Sequence, residues 1–165
     1  MEKDQRFPFY YVIFNLLVGS DIELPECFRI EKPEAKLDFV IQVVDSVFPL
    51  EEPVLAKSYY QISPKDYFLD LGPLAHFRVS SGTNIQIQLL TQNRLELVRR
   101  YLLSRVFAVM LYQRKLYPLA ASAIYVNGNG LLLSGSSAYA QNILPQVFNR
   151  RFQLISPLYH MMEKC

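Results

Sequence analysis

The segment Gly135-Ser136-Ser137-Ala138-Tyr139-Ala140-Gln141-Asn142 follows the apolar run Leu131-Leu132-Leu133 and has the outline of a phosphate-binding loop. A short strand, a glycine at the turn and a helix-compatible run can aim successive backbone N–H groups at one anion. A plain strand-to-helix turn with Ser137 as N-cap has the same outline. The other chemistry-bearing residues are scattered. His76 and His160 stand alone, without the spacing of a metal site or a triad, and read as structural. Ser122 and Ser136 have no recognisable base in their local sequence. Arg94, Arg99, Arg100, Arg105, Arg150 and Arg151 could make a basic face for nucleic acid or a phosphopeptide. A solvated helix face, with Glu96 pairing to Arg100 four residues on, accounts for them more simply. The many Tyr and Phe side chains could stack bases, but Tyr10, Tyr11 and Phe14 lie where strand residues fill a core.

The elements that must position these residues change character along the chain. Phe9 to Val18 is dense in Tyr, Val, Ile, Phe and Leu and reads as one strand buried on both faces. Pro25 makes Ile22 to Glu26 extended. Asp38 to Val44, Ala56 to Ile62 and Tyr67 to Leu71 are further strand-like runs, with Pro49 and Pro53 bracketing a turn. Ala75–Val79 and Asn84–Leu90 flank Ser80-Ser81-Gly82-Thr83 as a hairpin, with Ile85 and Ile87 on one face and Gln86 and Gln88 on the other. Residues 7–91 therefore read as a mostly antiparallel sheet.

Asn93-Arg94-Leu95-Glu96 fits a capping box. Behind it Leu95, Val98, Leu102, Val106 and Val109 recur at helical spacing. No charge occurs from Val106 to Tyr112, so that half of the helix is expected to be buried nearly all round. Gln113-Arg114-Lys115 suits the negative helix end, and Pro118 stops continuation. Leu119 to Val126 and Leu131 to Leu133 are strand candidates on either side of the turn residues Asn127-Gly128-Asn129-Gly130. Ala138 to Phe148 can form a helix, kinked or restarted at Pro145. Phe152 to Met162 is apolar and reads equally as helix or strand.

The chain of 165 residues is long enough to bury a core as one domain, divided into a sheet region 7–91, a helix 93–115 and a region 119–165. It is 51% hydrophobic and 19% charged, which excludes extended disorder. A net charge of +2 gives little electrostatic case for nucleic acid or an anionic membrane. Cys27 and Cys165 form no disulfide framework, and the mixed charges of Met1 to Arg6 are unlike a signal peptide. The apolar run Tyr10 to Val18 is too short to span a bilayer. A cytoplasmic protein is expected.

The order of blocks is similar to that of the HPr-kinase-like P-loop proteins. An N-terminal sheet precedes a helix Tyr101-Leu102-Leu103 to Gln113-Arg114, then Leu116-Tyr117-Pro118-Leu119-Ala120-Ala121-Ser122-Ala123-Ile124, a glycine turn, and Leu131-Leu132-Leu133-Ser134-Gly135. Asp21-Ile22-Glu23-Leu24-Pro25-Glu26 also resembles that family's opening turn. The resemblance covers roughly residues 9 to 145. It implies an α+β fold: an antiparallel sheet, a long central helix and a strand–loop–helix unit from the front of a P-loop kinase core.

The departures from the family pattern decide the functional expectation. The family loop reads Gly-x-Ser-Gly-x-Gly-Lys-Ser. Here Gly135, Ser136 and Ser137 fit, but Ala138 and Ala140 replace glycines, Gln141 the lysine and Asn142 the magnesium-binding hydroxyl. Ala120 stands where the resemblance expects a histidine. No Asp occurs after Asp70, although the family places an acidic metal-handling pair beyond the loop. Alanine puts a Cβ where backbone and phosphate should touch. A charged hydrogen bond contributes roughly 1.5–3 kcal/mol against about 0.5–1.5 for a neutral one, so losing the lysine alone weakens phosphate binding about tenfold. Phosphoryl transfer rests almost wholly on positioning and charge neutralisation. The expectation is therefore a non-catalytic binding or adaptor protein, a pseudokinase by ancestry, without cofactor or metal. Its partner would be a protein, a peptide or a second copy covering an exposed sheet edge or the apolar tail. The alternative is a nucleotide- or phosphate-compound-binding kinase subunit completed by a partner chain.

Overall fold

A computed structural model describes residues 7–91, 93–119, 122–126, 129–133, 153–154 and 160–162. The chain divides into two compact units, Met1–Lys115 and Leu116–Cys165. The class is mixed α+β, with a large sheet and, among the described residues, one long, interrupted helix.

The first unit holds strands β1 (Phe9–Ile13), β2 (Leu16–Ser20), β3 (Phe28–Ile30), β4 (Phe39–Val43), β5 (Leu55–Ala56), β6 (Tyr60–Ile62), β7 (Asp66–Asp70), β8 (Ala75–Ser80) and β9 (Asn84–Leu89). Their order in one sheet is β3-β1-β2-β4-β9-β8-β7-β6-β5. Adjacent strands run antiparallel except β2–β4 and β4–β9, which are parallel. The two parallel contacts follow from two crossings. After β2 the chain passes to the far side of β1, forms β3, and returns beside β2 as β4. After β4, residues 44–54 pass to the opposite edge, from which β5 to β9 come back as an antiparallel meander.

The continuous apolar run Phe9 to Val18 is two strands, not one. Phe14 and Asn15 both adopt positive φ (53° and 62°), a two-residue hairpin turn between Ile13 and its partner Leu16. A phenylalanine in this region is strained by roughly 1–3 kcal/mol. Long-range packing compensates: the Phe14 ring lies 6.5 Å from that of Phe107. Likewise Ala56 to Ile62 divides into the hairpin β5–β6, closed by a bond from the Lys57 N–H to Tyr60 O (2.8 Å). The β8–β9 hairpin follows the alternation in the sequence, with Ile85 and Ile87 fully buried and paired to Val79 and Phe77.

One face of this sheet is covered by α1 (Leu95–Tyr101), a π-helical stretch (Leu102–Val106) and α2 (Phe107–Gln113). Val98, Leu102, Val106, Phe107, Met110 and Leu111 are buried, and Phe107 meets Phe39 of β4 edge-to-face at 5.7 Å. Val109, expected in the buried stripe, is only half-buried. The π turn is the reason. In an α-helix of 3.6 residues per turn, Met110 would lie about 120° around the axis from Val98. One extra residue in the π turn brings it back into line. Tyr112 is 66% exposed, so the uncharged half of the helix is not buried all round. The capping box does not form. Arg94 is the N-cap, no side chain caps the helix, and the Asn93 N–H bonds Thr91 Oγ1 at 3.4 Å.

The helix end is held by side chains. The Gln113 carboxamide oxygen accepts from the Gly82 N–H at 2.7 Å. The Arg114 guanidinium donates to Asp38 O (3.1 Å), Gly82 O (3.0 Å) and Asp38 Oδ1 (3.4 Å). Gly82 has φ +66°, and a Cβ there would lie 2.6 Å from Arg114 Cγ, so glycine is required.

The second unit contains β10 (Tyr117–Leu119), β11 (Ser122–Val126), β12 (Asn129–Leu133), β13 (Gln153–Leu154) and β14 (His160–Met162). β11 lies between β12 and β13, and β10 pairs with β14, all antiparallel. β11 and β12 thus pair as the two arms expected on either side of the turn residues, and part of the apolar tail returns as two short strands.

Candidate functional site

The expected phosphate loop, Gly135, Ser136, Ser137, Ala138, Tyr139, Ala140, Gln141 and Asn142, lies outside the described residues, as do Ala120 and the helix expected over 138–148. The strand leading toward the loop is present as β12, antiparallel to β11, with Ser122 opposite Leu133. Arg94, Arg100 and Arg105 of the expected basic helix face are exposed to solvent, and Arg99 alone of the four is part-buried. Arg99 pairs with Glu26 from the β2–β3 connection at 3.0 Å, and no Glu96–Arg100 pair occurs among the described residues. Among the described residues, no three His, Cys, Asp or Glu side chains converge as a metal site. No helix among them is long and apolar enough to cross a membrane.

The polar chemistry of the first unit gathers on the sheet face opposite the helix. Strand alternation places it there: as Phe77, Val79, Ile85 and Ile87 turn to the helix, His76, Arg78, Ser80, Asn84, Gln86 and Gln88 turn away. From β7, Asp66, Phe68 and Asp70 join them, opposite Ser80, Arg78 and His76. Segment 44–54 crosses part of this face and is pinned to it. Gln88 Oε1 accepts from the Val47 N–H (3.1 Å) while its Nε2 donates to Asp45 O (3.0 Å). Gln61 Oε1 accepts from the Leu50 N–H (2.7 Å), and Val47 and Leu50 bury themselves against Phe68.

Two clusters result. In the first, His76 Nδ1 lies 3.1 Å from Gln88 Oε1 and Nε2 lies 3.4 Å from Asp70 Oδ1. Since the backbone fixes which end of the Gln88 amide is the acceptor, Nδ1 is the donor in the contact with Gln88. The histidine is thus structural, tying β7, β8 and β9 beneath the crossing segment. In the second, Asp66 Oδ1 accepts from Arg78 Nε (3.2 Å) and Ser80 Oγ (2.6 Å), and Ser63 Oγ accepts from the Asp66 N–H (3.2 Å). Beside it opens a pocket of about 670 Å³, lined by Phe48, Pro49, Leu50, Glu51, Glu52, Ser63, Asp66 and Arg78. Sequence reasoning missed this pocket, because its two walls are 11 or more residues apart along the chain. The alternation of β8 was the only signal that His76, Arg78 and Ser80 share a face.

The sheet also presents an apolar edge. β5 is the outermost strand on its side, and the hairpin it forms with β6 exposes Val54 (79%), Leu55, Tyr59 and Ile62. Strands at a sheet edge offer unpaired backbone groups for strand addition. At the opposite edge Phe28 of β3 is 75% exposed, while Arg29 stacks over Phe9 with its guanidinium carbon 5.0 Å from the ring centre.

Burial shapes the ionisation of two groups near the β1–β3 edge. It pushes the Cys27 thiol up to about 11, with Glu26 adding to the rise. It also raises Tyr11, against the partial offset of the Leu24 N–H that donates to its hydroxyl at 2.8 Å. Neither group is poised as a nucleophile at neutral pH. No family model, no curated protein and no solved structure matches the chain.

Proposed function

We propose that this chain is a non-catalytic protein-binding or adaptor protein, a pseudokinase of HPr-kinase-like ancestry that acts in the cytoplasm through contact surfaces. The observation that carries the reading is the composition of residues 135–142. Gln141 stands at the lysine position, Ala138 and Ala140 at glycine positions, and Asn142 at the metal-binding hydroxyl. A cradle with neither its cation nor its two flexible positions holds a nucleotide poorly. The β11–β12 hairpin leading to residue 135 and the large sheet preceding the helix are compatible with this ancestry.

Support for the contact half comes from the β5–β6 hairpin. An outermost strand with exposed Val54 and Leu55 suits a partner that adds a strand or covers the hairpin. Light scattering of the purified chain, with recovery of bound protein from its native host, tests the reading. The expected result is a stable complex or dimer that Val54→Asp with Leu55→Asp abolishes while the fold is retained. A strict monomer that retains no partner overturns it.

A further inference from the structure

The pocket beside the β7–β8 face carries an inference that does not depend on the adaptor reading. We propose that it binds a short zwitterionic peptide of about two or three residues, a size suited to a small-ligand pocket. The carboxylate end would rest on Arg78, the ammonium end on Glu51 and Glu52, and an apolar side chain against Phe48 and Pro49.

Three features lead to this class. First, the walls are pre-formed. The Leu50 N–H bond to Gln61 and the packing of Val47 and Leu50 on Phe68 hold segment 47–50, while Asp66 receives Ser80 and Arg78 from the neighbouring strand. Second, Arg78 is oriented but not used up. Asp66 takes its Nε, and among the described residues the two terminal nitrogens have no hydrogen-bond partner. A guanidinium held this way presents a fork that matches a carboxylate. Third, the remaining lining is of the opposite sign and apolar. Glu51 and Glu52 are exposed, and Phe48, 70% exposed, extends an aromatic surface beside them.

Simpler ligands fit less well. A phosphate or nucleotide would bring only negative charge to a lining in which three carboxylates, Glu51, Glu52 and Asp66, outnumber one arginine. A plain cation would lie against that arginine. A purely apolar molecule would desolvate charges without replacing their partners. A molecule with a carboxylate at one end and an ammonium at the other meets both signs. A volume of about 670 Å³ accommodates two or three residues.

Calorimetric titration of the full chain with leucyl-leucine, its N-acetyl form and its C-terminal amide tests the assignment. The free dipeptide should bind, and blocking either end should weaken binding about tenfold. Arg78→Gln should erase the preference for the free acid over the amide and leave the penalty of N-acetylation. Glu51→Gln with Glu52→Gln, both at exposed positions, should do the reverse without disturbing the fold, and so guards against a folding failure of the arginine variant. Equal binding of free and blocked peptides, or no binding of the free peptide at about 10 mM, overturns the proposal.

Discussion

Replacing Arg114 by methionine tests how the helix is fixed to the sheet. The substitution keeps the stem that packs beside Gly82 and removes the guanidinium. Two backbone carbonyls, of Asp38 and Gly82, then lose their donor, and the Asp38 carboxylate loses its cation. A hydrogen bond involving a charged group contributes about 1.5–3 kcal/mol. The Arg114 side chain is 22% exposed and that of Asp38 35%, so water replaces part of each contact. Asp38 also keeps the Leu17 N–H on Oδ2 at 2.7 Å. The net loss for Arg114→Met should therefore be about 2 kcal/mol. Arg114→Lys, which retains a charge but cannot span three acceptors, should lose about half as much. Urea unfolding measures both, and hydrogen exchange at the Gln113 and Arg114 amides should accelerate in the methionine variant. A change below about 0.5 kcal/mol would refute the assignment of the helix anchor to this residue.

Three further outcomes follow from the first unit. Gly82→Ala should destabilise by about 2 kcal/mol in the same assay, since it combines positive φ with a Cβ 3.2 Å from Met110 O. Tyr11→Phe leaves the buried Leu24 N–H without its acceptor and should cost about 1–3 kcal/mol. In a Cys165→Ser background, Cys27 should react with iodoacetamide about a hundredfold more slowly in the folded than in the unfolded chain at pH 8. That ratio follows from a thiol raised from 9.0 to about 11, and equal rates would contradict it. The corresponding stability is complete below pH 9, where the thiol is neutral in both states. It declines as pH rises toward 11, because the unfolded chain ionises first.

The β8–β9 hairpin and the sheet-facing residues of α1 were legible because they depend on local period, two in a strand and 3.6 in a helix. What escaped the sequence depends on distant partners. The turn at Phe14-Asn15 carries no glycine, and its strained phenylalanine is held by Phe107, 93 positions along the chain. The π turn displaces the helical stripe after Val106, so extrapolating the α period chose Val109 where Met110 is buried. The parallel contacts of β4 depend on which strands the chain crosses, which alternation cannot encode. The same crossing brings Phe48 to Glu52 beside Asp66 and Arg78. Conversely, the phosphate-loop reading rests on residue types alone.

That reading is tested most directly by calorimetric titration of the chain with ATP in the presence and absence of magnesium, beside a variant carrying Ala138→Gly, Ala140→Gly and Gln141→Lys. The account predicts no binding at micromolar ATP for the natural chain and an affinity about tenfold or more higher for the variant, the lysine alone contributing a charged bond. Magnesium-dependent micromolar binding by the natural chain, with turnover, would contradict it.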